Sequence, residues 1–273
     1  MLTALLDLLL PRVCAGCRRT GTPWCLPCRA RFAGLYRVRL SVPRLPPVHV
    51  VAEYSGSARA TVLAYKERRR RDLAAGLGAA LAAAIPRLPR GSPDSGGHWW
   101  LVPAPSRSAA ARARGGSHML RLTASIATHL ERASALPILG LDRTATDSVG
   151  LRPDERLANL RNRVHLSGRW SPPPGTPVLL VDDVVTTGAT AAVCTAVLRA
   201  AGLRVTGLLA LTGPPGRLEP ELDPKKTLRK NSRSAGRGTS GRGEPFAEYE
   251  PEEPPVRSTG TSDNGLQSHP PIE

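Results

Sequence analysis

Two groups of residues in this 273-residue sequence combine types and spacings that can do chemistry. The first is the run VLLVDDVVTTGAT at 178–190. Its four leading aliphatics form a continuous apolar stretch, as expected of a central strand buried on both faces. Asp182 and Asp183 follow at the carboxyl edge of that strand, where ligand sites of α/β sheets form. Adjacent carboxylates repel unless a cation or hydroxyl groups answer them. The vicinal hydroxyls of a ribose, with Mg²⁺ bridging nearby oxygens, would do so. Thr186, Thr187, Gly188, Ala189 and Thr190 then enter a helix, whose first N–H groups and dipole suit a phosphate. Gly188 permits the close turn. The competing reading is that the acids form a capping motif and the Thr-Gly stretch is an ordinary strand–turn–helix junction.

The second group is Cys14-x2-Cys17 and Cys25-x2-Cys28, with Gly21 and Pro23 in the seven-residue spacer. Each pair can turn two thiolates toward one point, and four in tetrahedral array suit a structural Zn²⁺. So short a segment has almost no core and needs a metal to fold. Disulfides, an iron–sulfur cluster and redox pairs are the alternatives, although neither CxxC follows a strand and opens a long helix. Arg12, Arg18, Arg19, Arg29 and Arg31 surround the knob, together with Trp24 and Phe32. This mixture can stack bases and meet phosphates, or dock on the core through its two aromatics. Cys194 reads as a small buried side chain.

Stepping outward, strand and helix signals alternate. Strands are expected at 48–54, 99–102, 136–141, 178–181 and 203–211. Helices are expected at 1–10, from about 56 to 66, 72–85, up to about 132, 155–160 and 188–201. The 72–85 helix has Leu73, Leu77, Leu81 and Ile85 at intervals of four, and Pro86 stops it. Alternation of this kind predicts an α/β fold with a mostly parallel sheet flanked by helices. The expected organisation is an N-terminal helix and cysteine knob at 1–36, a Pro-rich link at 37–47, and the main domain at 48–211. The remainder, 212–273, loses apolar periodicity and is expected to be a disordered tail.

Charge divides along the same line. Lys and Arg number 29 against 12 Asp and Glu before residue 212, and 9 against 10 after it. The excess that gives the net +16 therefore sits on the body and attracts phosphorylated ligands or polyanions. Lys66 and Arg71, in the dense charge run at 66–72, and Arg107, Arg112 and Arg114 are candidate anion contacts; a solvated helix junction is the plainer reading of the first run. His118 reads as a surface histidine in a helix. No stretch reaches the ~18–20 apolar residues needed to span a bilayer, the start lacks a basic secretory n-region, and the cytoplasm is the expected location.

With these motifs in view, the 178–190 run resembles the signature of type I phosphoribosyltransferases. Residues 1–211 as a whole resemble the competence protein F family (ComF, or GntX-like), in which a four-cysteine zinc knob precedes a phosphoribosyltransferase-like domain. Tyr54, Gly56 and Lys66 match its Tyr-x-Gly element and following lysine. Val102, Pro103, Ala104 and Pro105 match its Val-Pro-x-Pro element, followed by Arg112, Arg114 and Gly115. Gly150, Leu151, Arg156 and Asn159 match a Gly-Leu…Arg…Asn segment. Where the family continues Phe-Asn-Gln, this chain has Gly116, Ser117 and His118.

The resemblance implies that Asp182 and Asp183 hold ribose hydroxyls and that 186–190 hold the 5′-phosphate of phosphoribosyl diphosphate with Mg²⁺. It places Arg107, Arg112 and Arg114 at the diphosphate and lets Arg156 and Asn159 fold over the ligand. Phosphoribosyl transfer to an acceptor is one implied activity. Binding of single-stranded DNA or a nucleotide without catalysis, with DNA-uptake proteins as partners in natural transformation, is the other.

Overall fold

The computed structural model describes residues 12–106, 116–142, 163–167 and 172–221. The central strands at 48–53, 99–103, 177–184 and 204–213 bury apolar side chains on both faces, and this dictates the layering. The elements in chain order are α1 (Leu26–Ala30), β1 (Tyr36–Val38), β2 (Val48–Glu53), α2 (Gly56–Lys66), α3 (Ala74–Ala84), β3 (Trp99–Pro103), α4 (His118–Ala127), β4 (Ala133–Ala135), β5 (Leu139–Leu141), β6 (Val164–Leu166), β7 (Pro177–Val184), α5 (Ala189–Ala200), β8 (Arg204–Gly213) and β9 (Leu218–Pro220). The seven-stranded sheet runs β4-β3-β7-β8-β2-β1-β9, while β5 and β6 pair separately. The five strands from β4 to β2 are parallel; β1 and β9 add antiparallel at one edge.

The two-residue period of a strand sorts side chains to opposite faces. Leu179 and Val181 of β7, with Leu209 and Leu211 of β8, join one core with α2, α3 and α4. Val178 and Leu180, with Leu208 and Ala210, join the other core with α5. Helices therefore cover both faces, the mixed α/β architecture expected from the sequence. Along α3 and the single turns that flank it, Leu73, Leu77, Leu81 and Ile85 are buried against the sheet as their spacing requires.

Several boundaries differ from expectation. The stretch at 37–47 is more than a link: it begins inside β1, which pairs Tyr36 with Val50 and Arg37 with His49. Leu136–Leu141 is not one strand. The Leu136 N–H still bonds the Leu101 carbonyl at 2.7 Å, but Pro137 has no N–H to continue the ladder, and β5 then pairs with β6 instead. Strand β7 runs past 181 through both acids to Val184. Strand β8 runs to Gly213, and a turn at Gly216, with φ of 71°, returns the chain as β9 beside β1. The ordered fold thus reaches beyond the expected limit at 211. The expected helices at 1–10 and 155–160 and the chain after 221 lie outside the described residues.

Candidate functional site

Strand parity decides what the two adjacent acids do. Asp182 continues the Val178–Leu180 face and turns toward α5; Asp183 continues the Leu179–Val181 face and turns toward α2 and α4. Asp183 is 3% exposed. Its carboxylate accepts from Lys66 Nζ, at the end of α2, at 3.0–3.1 Å, and pairs with His118 Nε2, at the start of α4, at 2.7 Å. The Tyr65 hydroxyl donates to the His118 carbonyl at 2.6 Å and ties the same two helices together. Burial pushes the Asp183 carboxyl up, but the His118 hydrogen bond and the Lys66 charge outweigh it and hold the group below its ordinary range. Lys66 is raised: burial opposes its charge, and Asp183 more than compensates.

Asp182 has the opposite environment. One oxygen accepts the Asp183 N–H at 2.8 Å, and the side chain opens onto a small dent of about 30 Å³ bounded by Val184, Val185 and residues 186–191. Burial, then the charge of Asp183, push its carboxyl up to about 7. Cys194 is fully buried on α5, as the small buried side chain the sequence suggested, and is raised by burial and by the field of Asp182.

The turn between β7 and α5 has the form of an anion cradle. Gly188 takes φ of 84° at the N-cap of the twelve-residue α5, a backbone conformation that side chains rarely adopt. Thr186 and Thr187 are exposed, and Ala189 and Thr190 open the helix. The Ala189 N–H donates to the Thr187 Oγ1 at 3.4 Å. The remaining N–H groups of the first turn have no intrahelical partner and face the dent with the positive end of the helix dipole. Val185 N–H bonds the Thr212 carbonyl at 2.9 Å, and Thr212 Oγ1 donates to the Asp183 carbonyl at 3.3 Å, so β8 fixes the start of the turn. A Cβ on Gly188 would lie 2.7 Å from Leu40 Cδ1 and 3.2 Å from Leu45 Cδ1. The β1–β2 connection therefore braces the cradle from behind, a role its Pro-rich composition concealed.

The second cluster gathers as its spacing required. The four Cys Sγ atoms lie within 4.8 Å of one another, and Cys25 Sγ is 3.6 Å from both Cys14 Sγ and Cys17 Sγ. Zinc–sulfur bonds of ~2.3 Å in a tetrahedron put sulfurs ~3.8 Å apart, so the arrangement fits a Zn²⁺, and all four cysteines are free thiols. The Cys25 N–H points at Cys14 Sγ at 3.4 Å, as a thiolate ligand invites. Burial alone would push Cys14 up; backbone N–H groups of Cys25, Cys17 and Gly16 outweigh it and bring the thiol down to about 6.

The knob docks on the core. Trp24 and Phe32 are 8% and 1% exposed and meet edge to face at 5.5 Å. A Cβ on Gly16 would lie 2.7 Å from Cys28 Sγ and 3.0 Å from Thr61 Oγ1 of α2. Arg70 forks onto Asp72 at 2.8–2.9 Å while donating to the Val13 and Pro23 carbonyls at 3.1 and 3.0 Å. That guanidinium of the charge run is a clamp on the knob. With both aromatics buried, the knob offers neither of them for base stacking.

Of the residues singled out by sequence, the structure brings Asp182, Thr186, Thr187, Gly188, Ala189 and Thr190 together around one dent. It turns Asp183 and Lys66 toward each other, away from that dent. Arg107, Arg112, Arg114, Arg156 and Asn159 lie outside the described residues. His118, read as a surface residue, is 4% exposed. Its buried position is foreshadowed by the interval of four that it shares with Leu122 and Ile126, both fully buried.

No family model matches the chain, and no curated protein matches it. Among solved structures it is similar to UMP synthase of Leishmania donovani (14% identity, TM-score 0.31, covering 68% of this chain and 31% of that one). It is similar to a hypoxanthine phosphoribosyltransferase of Staphylococcus aureus (19%, TM-score 0.28, 55% and 66%). A glutamic acid mutant of an HPRT is a third (15%, TM-score 0.32, 56% and 71%). The chain thus spans about a third of the first of these proteins and about two thirds of the second.

Proposed function

We propose that the chain binds phosphoribosyl diphosphate, or a related ribose phosphate, in the cradle between β7 and α5. The observation that carries this reading is the placement of Asp182 beside the free N-terminal turn of α5, with Gly188 in the left-handed conformation between them. The amides and hydroxyls of 186–190 receive the 5′-phosphate. Asp182 accepts from a ribose hydroxyl. Asp183 does not touch the sugar; with Lys66 and His118 it holds the end of β7 in place.

In the transferase version of this reading, an acceptor nitrogen forms a bond to ribose C1 as the C1–O bond to diphosphate breaks. The diphosphate leaves with the bonding electron pair. The chain's part is to fix the phosphate and ribose so that C1 is presented to the acceptor. Arg107, Arg112 and Arg114 are assigned to the leaving diphosphate, Arg156 and Asn159 to the loop over the ligand. A Mg²⁺ bound with the ligand would supply neutralisation of the leaving charge, and a single carboxylate plus ligand oxygens is a donor set that ion accepts. The Cys14, Cys17, Cys25 and Cys28 site takes a structural Zn²⁺.

Calorimetry of the zinc-loaded protein tests this reading: heat on titrating phosphoribosyl diphosphate with Mg²⁺, lost in Asp182→Asn, supports it. No heat from the folded protein ends it.

A second reading is favoured by the wide groove of about 530 Å³ flanked by Arg37, Arg39, Arg44 and Arg90. All four side chains are exposed, and a polyanion such as single-stranded DNA, as in DNA uptake, would meet them. Titration with an oligonucleotide at two salt concentrations checks it, since phosphate contacts weaken steeply with salt; a complex insensitive to salt would argue against this groove.

A further inference from the structure

The four knob thiols do not meet solvent equally. Cys14, Cys25 and Cys28 are buried, while Cys17 is exposed. Cys25 Sγ lies 3.6 Å from Cys14 Sγ and 3.6 Å from Cys17 Sγ. Of these two neighbours, Cys14 Sγ also accepts the Cys25 N–H at 3.4 Å. An N–H bond that stabilises a thiolate makes it a poorer nucleophile. Cys17 is therefore the sulfur that a small electrophile from solvent meets first, and Cys25 stands directly behind it.

Positive charge gathers on the open side of the knob. Arg18 directly follows Cys17 and holds φ of 67°, a backbone conformation that favours glycine. An arginine kept at such an angle points to a role for its side chain. Arg18, Arg68 and Arg70 line an open cavity of about 250 Å³ that reaches Cys14 and, on α2, Ala64. Arg70 is committed to Asp72 and to two knob carbonyls, whereas Arg18 and Arg68 are exposed. Cysteines that react with oxidants sit in electropositive, partly exposed surroundings of this kind.

We propose that Cys17 and Cys25 are an oxidisable pair, which hydrogen peroxide joins as a disulfide at the expense of the knob's Zn²⁺. The proposal rests on the zinc assignment above. The Cys17 thiolate attacks one peroxide oxygen, the O–O bond breaks, and hydroxide leaves with the bonding pair, giving a sulfenic acid at Cys17. The Cys25 thiolate then attacks the Cys17 sulfur. The S–S bond forms, the S–O bond breaks, and a second hydroxide leaves. Each thiolate has given up one electron and the peroxide has taken two. The sulfurs close from 3.6 Å to the ~2.05 Å of a disulfide. Cys14 and Cys28 are then the remaining ligands, too few for a structural site. The change reaches α2. Gly16 packs where a Cβ would lie 3.0 Å from Thr61 Oγ1, and Arg70 grips the knob beyond the helix end. Between those points Tyr65 and Lys66 hold His118 and Asp183, so loss of the ion loosens the helix that pins β7.

The test is to purify the full-length protein natively, count its zinc, and titrate it with hydrogen peroxide. Zinc release, followed with a metallochromic dye, should match one for one a Cys17–Cys25 disulfide mapped by mass spectrometry. Amide exchange over 61–66 should quicken at least about tenfold, and a dithiol with added Zn²⁺ should reverse both changes. Arg18→Gly, which suits the local φ, should slow release about threefold or more at equal peroxide. An Arg18 that only balanced the charge of the thiolates would, on removal, quicken it, and that result would overturn the proposal. So would a protein that keeps its ion while Cys17 passes to a sulfinic acid, a disulfide joining Cys14 to Cys17, or release that leaves exchange over 61–66 unchanged. A protein purified folded and without zinc would sink the metal assignment, and this proposal with it.

Discussion

His118 Nε2 lies 2.7 Å from Asp183 Oδ2 across 65 residues of sequence, both side chains almost wholly buried. Lys66 completes the group from a third element at 3.0 Å. The strand that carries the cradle is thereby pinned to two helices on the face away from it. The acid that faces the cradle, Asp182, makes no ion pair among the described residues and meets the Lys66 charge only through its field.

The two acids should consequently fail in different ways. Asp183→Asn removes the charge that answers Lys66 and His118, and breaking a buried pair of this kind costs about 3–5 kcal/mol. Asp182→Asn should leave the denaturant midpoint equal or higher while abolishing Mg²⁺-dependent ribose phosphate binding. Urea unfolding and calorimetry on the two variants check the contrast; equal losses of stability would refute it.

His118→Leu keeps the volume of the site and removes one hydrogen-bond partner of Asp183. A loss of about 1–3 kcal/mol is expected, with the Lys66 contact retained. Unfolding of the single variants and the His118→Leu/Lys66→Met pair would show a cost that is not the sum of the two, because both act on one carboxylate.

Gly188→Ala meets two penalties at once, a positive φ and the Leu40 methyl at 2.7 Å. Destabilisation of about 1–3 kcal/mol is expected. Adding Leu40→Ala should relieve the steric part only, since the backbone strain remains. A double variant as stable as the parent would mean the φ constraint is absent.

The pH dependence follows from the opposite shifts of the acids. Asp182 is raised to about 7 in the fold, so between its unfolded value near 4 and pH 7 the folded state binds a proton that the unfolded state has released. Its contribution therefore makes stability fall as pH rises through that window, and Asp182→Asn should flatten the decline. Asp183 is lowered; its contribution is present above the unfolded value and lost as pH falls through the folded one. Urea midpoints for parent and Asp182→Asn from pH 4 to 8 test the first statement. Ligand binding, which needs the Asp182 carboxylate, should strengthen toward pH 8.

Removing zinc should loosen the knob, because 14–28 is then held only by the Arg70 clamp, a few backbone hydrogen bonds and the docking of Trp24. Chelation, or Cys25→Ser, is expected to expose Trp24 and Phe32 and to loosen α3, read as faster exchange over Ala74–Ala84. Metal analysis of natively purified protein should return one zinc per chain; a protein folded and metal-free would contradict the site.

Much of the molecule was legible in the amino-acid order alone because it depends on short-range pattern. The paired CxxC spacing fixed four sulfurs near one point. The interval of four from Leu73 to Ile85 fixed the buried side of α3, and the run at 178–190 fixed a strand, a turn and a helix start. What no local pattern contained was direction and partnership. Asp182 and Asp183 look alike as neighbours, yet extending β7 by three residues sends them to opposite faces, and only there do Lys66 and His118 wait for one of them. The Pro-rich 39–47 stretch, the Arg70 clamp and the β9 return were equally silent, since each depends on contacts between residues far apart in sequence. Periodicity reports which side of an element is buried; which side chains meet there is settled when the sheet brings its strands and helices together.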